Sequence, residues 1–255
     1  MENLKNIELL KVPDGVKKDL REFLEQVIKF YSDDLISIMA FGSSTTGDYA
    51  EASSDVNLMV VYSDLNIADL DSVAKLSRSW LKKRSFSPRF ISLNNLKNSA
   101  KFFQIDMLEM KDMHITLYGE DLLNSMQINK SNLHWQLSYE IKAMRMRIKQ
   151  QFWRSCGDDR LMTRILLERF TSIIHLSKVL LYLMDKPVAP SFDGILSTSA
   201  EVLGIPSSYI EKMKALKQGK SKIDSHGLTQ LFTELMEVIR IIDNKSDQIA
   251  NEKMA

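Results

Sequence analysis

The chain has 255 residues and a formal net charge of +1, with 44% hydrophobic and 26% charged residues. Those proportions are ordinary for a soluble globular protein, and so balanced a charge offers no broad basic field of the kind that marks nucleic-acid binding. The single cysteine, Cys156, excludes an internal disulfide and a multi-cysteine zinc site. With no apolar stretch near the roughly 20 residues of a membrane span and no signal-peptide core after Met1, a reducing, cytoplasmic setting is expected.

Taken in chain order, the first clear element is the apolar run Leu35–Phe41, which predicts a strand. Gly42-Ser43-Ser44 follows and predicts a turn into a short helix, with Gly47 allowing the chain to leave it. A second apolar run begins at Val56, headed by Ser54-Asp55-Val56-Asn57. Residues i and i+2 of a strand share a face, so Asp55 and Asn57 are expected to face one cleft. Gly42 has no side chain to hold a phosphate away, and Ser43 and Ser44 offer hydroxyl and backbone N–H donors at a helix start. Residues 67–84 carry Leu70, Val73, Leu76 and Trp80 at helical spacing. Residues 88–93 read as a third strand without an acid, and 94–103 as helix-like. Residues 104–110, with Asp106 and Glu109, form a rival strand.

Beyond about residue 120 strands give way to helices. Residues 129–152 place Leu133, Leu137, Ile141, Met144, Ile148 and Phe152 on one face. Gly157 breaks the pattern, 160–184 resume it, and Pro187 ends it. Short helices over 192–203 and from Pro206, then a last one from Asp224 or Ser225, complete an up-and-down bundle. The expected fold class is α+β, with a small mixed sheet and its helices over 1–124 and an all-α bundle over 125–255.

The run from Phe41 through Gly42-Ser43, Gly47 and Ser54-Asp55-Val56-Asn57 to Val61 resembles the signature of the polymerase-β-like nucleotidyltransferases. In that signature a strand leads to Gly-Ser, and Asp-x-Asp heads a second strand. The resemblance implies in-line transfer of a nucleoside monophosphate from a magnesium–nucleoside triphosphate to a hydroxyl acceptor, a small molecule or a protein. It implies nucleotide contacts at Gly42, Ser43 and Ser44, and Mg²⁺ at Asp55 and Asn57, which would also be the catalytic pair. A third carboxylate is expected from a later strand. In one register Ser92 or a neighbour stands in that place, leaving one acid of three; in the other, Asp106 supplies it. The order of parts is similar to that of aminoglycoside-modifying nucleotidyltransferases and related bacterial proteins, in which the bundle helps to bind the acceptor and mediates dimers.

Asn57 is the chief departure, because the second acid of Asp-x-Asp is an amide. Two Mg²⁺ ions bring four positive charges against one certain carboxylate, while a triphosphate supplies about four negative charges of its own. Nucleotide binding therefore survives more easily than transfer. Two readings stand: a nucleotidyltransferase with a degenerate metal site, and a catalytically inactive relative serving as a nucleotide-binding or protein-interaction module.

Other clusters invite blander readings. Lys142, Arg145, Arg147, Lys149 and Arg154 read as a solvated helix face before they read as an anion clamp. His114, His134, His175 and His226 lack metal-ligand spacing. Tyr118, Trp135 and Tyr139 are expected to pack rather than to stack on a base.

Overall fold

The computed structural model describes residues 4–47, 49, 55–64, 71, 74–75, 78, 86–187, 191–220 and 223–254. Of the helix expected over 67–84, Asp71, Ala74, Lys75 and Arg78 are helical, and the rest lies outside the described residues. The chain divides into two compact units, Met1–Asn129 and Lys130–Ala255.

The first unit is built on a four-stranded sheet. Its strands are β1 (Leu35–Phe41), β2 (Val56–Tyr62), β3 (Phe86–Ser92) and β4 (His114–Gly119), in the order β3-β2-β1-β4. β1 runs antiparallel to both β2 and β4, and β2 runs parallel to β3. Every residue of β2 except Asn57 is buried. A strand covered on both faces needs such an unbroken apolar run.

Helices supply the two covers. On one face, Ile38, Ala40, Leu58 and Val60 pack with Leu20, Phe23, Leu24 and Val27 of α1 (Asp14–Tyr31). The strand motif does not announce α1, but its apolar residues recur at helical spacing and Asp14 lies in its first turn, where a carboxylate suits the helix dipole. On the other face, Met39, Met59 and Val61 meet Leu96 of α3 (Leu93–Ser99) and Met107 and Met110 of α4 (Gln104–Asp112). A short helix, α2 (Ser43–Thr46), lies between β1 and β2. Each large apolar side chain buried here contributes about 1.5–3 kcal/mol.

α4 corrects an expectation. Residues 104–110 are helical, so Asp106 and Glu109 occupy a helix and not an acid-bearing strand. Met107 and Met110, three apart, both reach the core. The Gln104 side chain accepts the N–H of Asn129 at 2.5 Å. The fourth strand is instead 114–119, where Ile115 and Leu117 share the face that meets α1.

The second unit is helical: α5 (Lys130–Ser155), α6 (Asp159–Leu183), α7 (Phe192–Thr198), α8 (Ser207–Lys217) and α9 (Ser225–Met254). Asp158 caps α6 by accepting the N–H groups of Arg160 and Leu161, both at 2.9 Å. A π-helical turn over Ser199–Leu203 extends α7 and stops at Gly204, where φ is +79°. Leu133, Leu137, Ile141, Met144 and Ile148 form the buried face of α5 as expected, but Phe152 is 38% exposed, its ring against that of Phe232 at 5.0 Å.

Two details of α5 bear on function. Its basic residues are largely paired within the unit: Lys142 with Asp243 at 2.9 Å, Arg145 with Asp243 at 3.7 Å and Arg147 with Glu140 at 3.8 Å. This is how a solvated face behaves. Trp135 and Tyr139, by contrast, are not packed in the core: they are 69% and 55% exposed and stack on each other with centroids 5.9 Å apart.

Candidate active site

The site begins where β1 ends. Gly42 takes φ +79° and ψ −151°, a conformation essentially reserved for glycine, and this bend turns the chain into α2. Thr45 holds the bend, its hydroxyl oxygen 2.7 Å from the Gly42 carbonyl and 3.0 Å from that of Met113. Ser43 is half-buried. Ser44 is fully buried and its hydroxyl donates to the Phe41 carbonyl at 3.4 Å.

β2 returns directly alongside. Asn57 pairs with Phe41, and its Nδ2 lies 3.5 Å from where a Cβ on Gly42 would stand. The amide of Asn57 and the backbone of Gly42 are therefore neighbours. Asp55, also half-buried, immediately precedes β2. Alternation along β2 puts Asn57 on the face of Met59 and Val61, the face covered by α3 and α4.

The third position is decided by the β2–β3 register. Asn57 pairs with Ser87, Met59 with Arg89 and Tyr62 with Ser92. Ser92 thus stands at the far end of the ladder, roughly 16 Å from the level of Asn57 at about 3.3 Å per residue. Its hydroxyl accepts the Asn95 N–H at 3.2 Å and caps α3. Of the expectation that Ser92 or a neighbour fills the place of the third acid, Ser92 itself is ruled out by the register: Ser87 is level with Asn57, and Arg89 is the next residue on that face.

Arg89 carries a positive charge into this corner. Its guanidinium lies 5.3 Å from the centroid of the Phe41 ring, a distance suited to a cation–π contact. Phe41 is on β1 and Arg89 on β3, with β2 between them. The two side chains therefore meet across β2, on the face that carries Asn57 and Met59. The guanidinium also stands 3.8 Å from Asp106, with both side chains about half exposed. Burial, reinforced by neighbouring Glu109, pushes the Asp106 carboxyl above its ordinary range, and Arg89 draws it back only in part.

Among solved structures, one of spectinomycin adenyltransferase AAD(9) from Enterococcus faecialis, with ATP and spectinomycin, is similar over 90% of this chain and 98% of its own, with a TM-score of 0.57 at 13% identity. The chain has the polymerase-β-like nucleotidyltransferase fold. A structure of a mutant of the toxin–antitoxin pair MntA-HpeT aligns over 54% of this chain and 97% of its own at 18% identity, with a TM-score of only 0.27. No family model matches the chain, and neither does any curated protein.

Activity on a nucleotidyltransferase fold resides in side chains, and here they do not fit a pair of magnesium ions. Asp55 is the one carboxylate of the expected pair. Asn57 is a neutral amide, β3 contributes Ser87 and Arg89, and Asp106 lies on α4 with a guanidinium 3.8 Å away. Among the described residues no group of three or more His, Cys, Asp or Glu side chains is arranged to hold a metal ion. The Arg89 guanidinium on the same face of the sheet disfavours further cations close to it.

On this nucleotidyltransferase fold two features escape sequence reasoning. Arg89 falls within the expected third strand, and the lack of an acid there is the available signal, but the register alone places it level with Met59, next to Asn57 on the same face. The other is His114, which pairs with Phe41 on the opposite side from Asn57. Its ring nitrogens lie 3.0 Å from the Lys111 carbonyl and 2.8 Å from Asp121 Oδ1. Asp121 also accepts the Asn124 N–H at 3.0 Å. This pair fastens the loop after β4 rather than reaching the cleft.

Proposed function

We propose that the first unit binds a nucleoside triphosphate in the cleft beside Gly42 and Ser43, with Asp55 and Asn57 facing it, and that nucleotidyl transfer to a hydroxyl acceptor is residual or lost. The observation that carries this reading is the contact between the Asn57 amide and Gly42 at the glycine-only bend. That bend brings bare backbone to the mouth of the cleft, where a phosphate chain can approach it. Magnesium enters as part of the ligand, MgATP, and Asp55 is the carboxylate beside it. The inactive alternative is favoured over full activity by Asn57 and by the Arg89 guanidinium on the same face of the sheet. A homodimer through the helical unit accords with the layout that the sequence resembles.

Calorimetry and thermal-shift titration with MgATP and MgGTP test the reading. A ligand at 100 times its Kd raises stability by about 2.7 kcal/mol, a shift readily seen on melting. We expect a shift with at least one nucleotide and its loss in Gly42→Val, which puts a branched side chain where the bare backbone meets the phosphates. Absence of any shift at millimolar nucleotide would reject nucleotide binding. Fast turnover with an acceptor would reject the residual-activity part.

A further inference from the structure

We infer that Arg89 supplies the positive charge that metal ions would otherwise bring, so that the cleft binds the phosphate chain of a nucleoside triphosphate without requiring a divalent cation. This rests on the nucleotide-binding reading above and states what holds the phosphates.

The argument starts from the side chain's path. Arg89 is level with Met59 on β2, and Phe41 is level with Asn57. With the guanidinium 5.3 Å from the Phe41 ring, the two side chains meet across β2 on the face that carries Asn57 and Met59. In an Asp-x-Asp site that place would be filled by cations held on two carboxylates. Here the second carboxylate is an amide, and the protein supplies a permanent cation instead. The two departures match. An aspartate at 57 would close an ion pair with Arg89 and consume its charge, whereas Asn57 leaves the guanidinium open toward the cleft.

The chemistry suits a phosphate. Guanidinium remains charged at any physiological pH and offers a planar fork of donors that fits two phosphate oxygens at once. The Phe41 ring supports one face of the group and limits its rotamers. Asp106 engages the group only at 3.8 Å and from a half-exposed position, so a phosphate can replace it. Burial and Glu109 already disfavour the ionised form of Asp106, which weakens its hold on Arg89. The ligand class is thus a polyphosphate on a nucleoside, taken in its free anionic form as well as with magnesium.

The test measures ATP binding to the full chain by calorimetry, once with Mg²⁺ and once with EDTA. Inorganic triphosphate serves as a second probe. For the unmodified protein the Kd for ATP should change by less than about threefold between the two conditions. Arg89→Gln should weaken ATP in EDTA by roughly tenfold or more, as expected for a lost charge-assisted contact. Arg89→Lys should recover part of it, keeping charge without the fork. Asp106→Asn should tighten ATP, and that gain should vanish in the Arg89→Gln background because both act through one group. Melting without ligand shows that each variant is folded; Arg89 is half exposed and its loss leaves the core intact. Binding seen only with Mg²⁺ and indifferent to Arg89→Gln overturns this inference while leaving nucleotide binding in place. No ATP binding under either condition overturns both. Binding of inorganic triphosphate alone, with no preference for ATP, overturns the nucleoside part.

Discussion

Ser87 of β3 stands beside Asn57 of β2 in the parallel ladder, and the next residue of β3 on that face is Arg89. This pairing, rather than the spacing of acids along the chain, governs how the site would answer to repair. Asn57→Asp alone should not create metal affinity, because the new carboxylate would lie beneath the Arg89 guanidinium and pair with it. Asn57→Asp combined with Arg89→Ser and Ser87→Asp should bind Mn²⁺ measurably by calorimetry, and the three effects should be strongly non-additive. Tight Mn²⁺ binding by Asn57→Asp alone would place the guanidinium elsewhere.

Ser92 yields a contrasting outcome at the far end of β3. Its hydroxyl caps α3 through the Asn95 N–H, so Ser92→Ala should cost about 1 kcal/mol in urea unfolding. Ser92→Asp should be nearly neutral, since aspartate caps as well, and should leave metal and nucleotide binding untouched. An effect of Ser92→Asp on metal affinity would contradict the β2–β3 register.

Gly119 tests the closing of β4 on β1. Its φ is +67°, and a Cβ there would lie 2.0 Å from the Ile36 carbonyl oxygen. The obstacle is backbone and cannot step aside. Gly119→Ala should therefore destabilise by about 3 kcal/mol or more. Gly47, whose φ is +96°, has open space around it. Gly47→Ala should cost only the milder penalty of a left-handed conformation, about 1–2 kcal/mol. Equal losses by thermal melting would refute the clash.

Two carboxylates should leave opposite marks on the pH dependence of stability. Burial works to raise the Asp121 carboxyl, but the Asn124 N–H, the His114 ring and Lys5 more than offset it and hold it below its ordinary value of 3.8. Its folded form therefore favours the ionised state. The stability it contributes is present above pH 3.8 and is lost as pH falls through the depressed value. Asp121→Asn should melt lower than the unmodified protein at neutral pH, with the gap closing in acid. Asp106 is raised by burial and by Glu109, so its ionised form is penalised in the fold and stability is regained as pH falls toward 3.8. Asp106→Asn should melt higher at neutral pH and lose that advantage in acid. Melting curves of both variants from pH 3 to 8 decide it, and gaps of the same sign would reject the assignment.

The strands that frame the site are legible residue by residue. Leu35–Phe41 and Val56–Tyr62 are near-continuous apolar runs because both faces of the sheet are covered, and turn residues fence them. The glycine bend is legible for the same reason, since only glycine adopts that backbone. The bundle helices follow from their apolar period. Residues 104–110 are ambiguous because Ile105, Met107, Leu108 and Met110 suit two periods over a short window, and packing against the sheet settles them as helix. By itself, then, the sequence determined the α+β class, the strand–glycine–strand frame and the lost charge at Asn57, all consequences of local sterics and periodicity. Tertiary structure alone decided what stands opposite Asn57. A strand's register against a parallel neighbour is set by side chains packing on both faces. It left Ser92 as a cap, aligned Ser87 with Asn57, and brought the Arg89 guanidinium together with the Phe41 ring across β2.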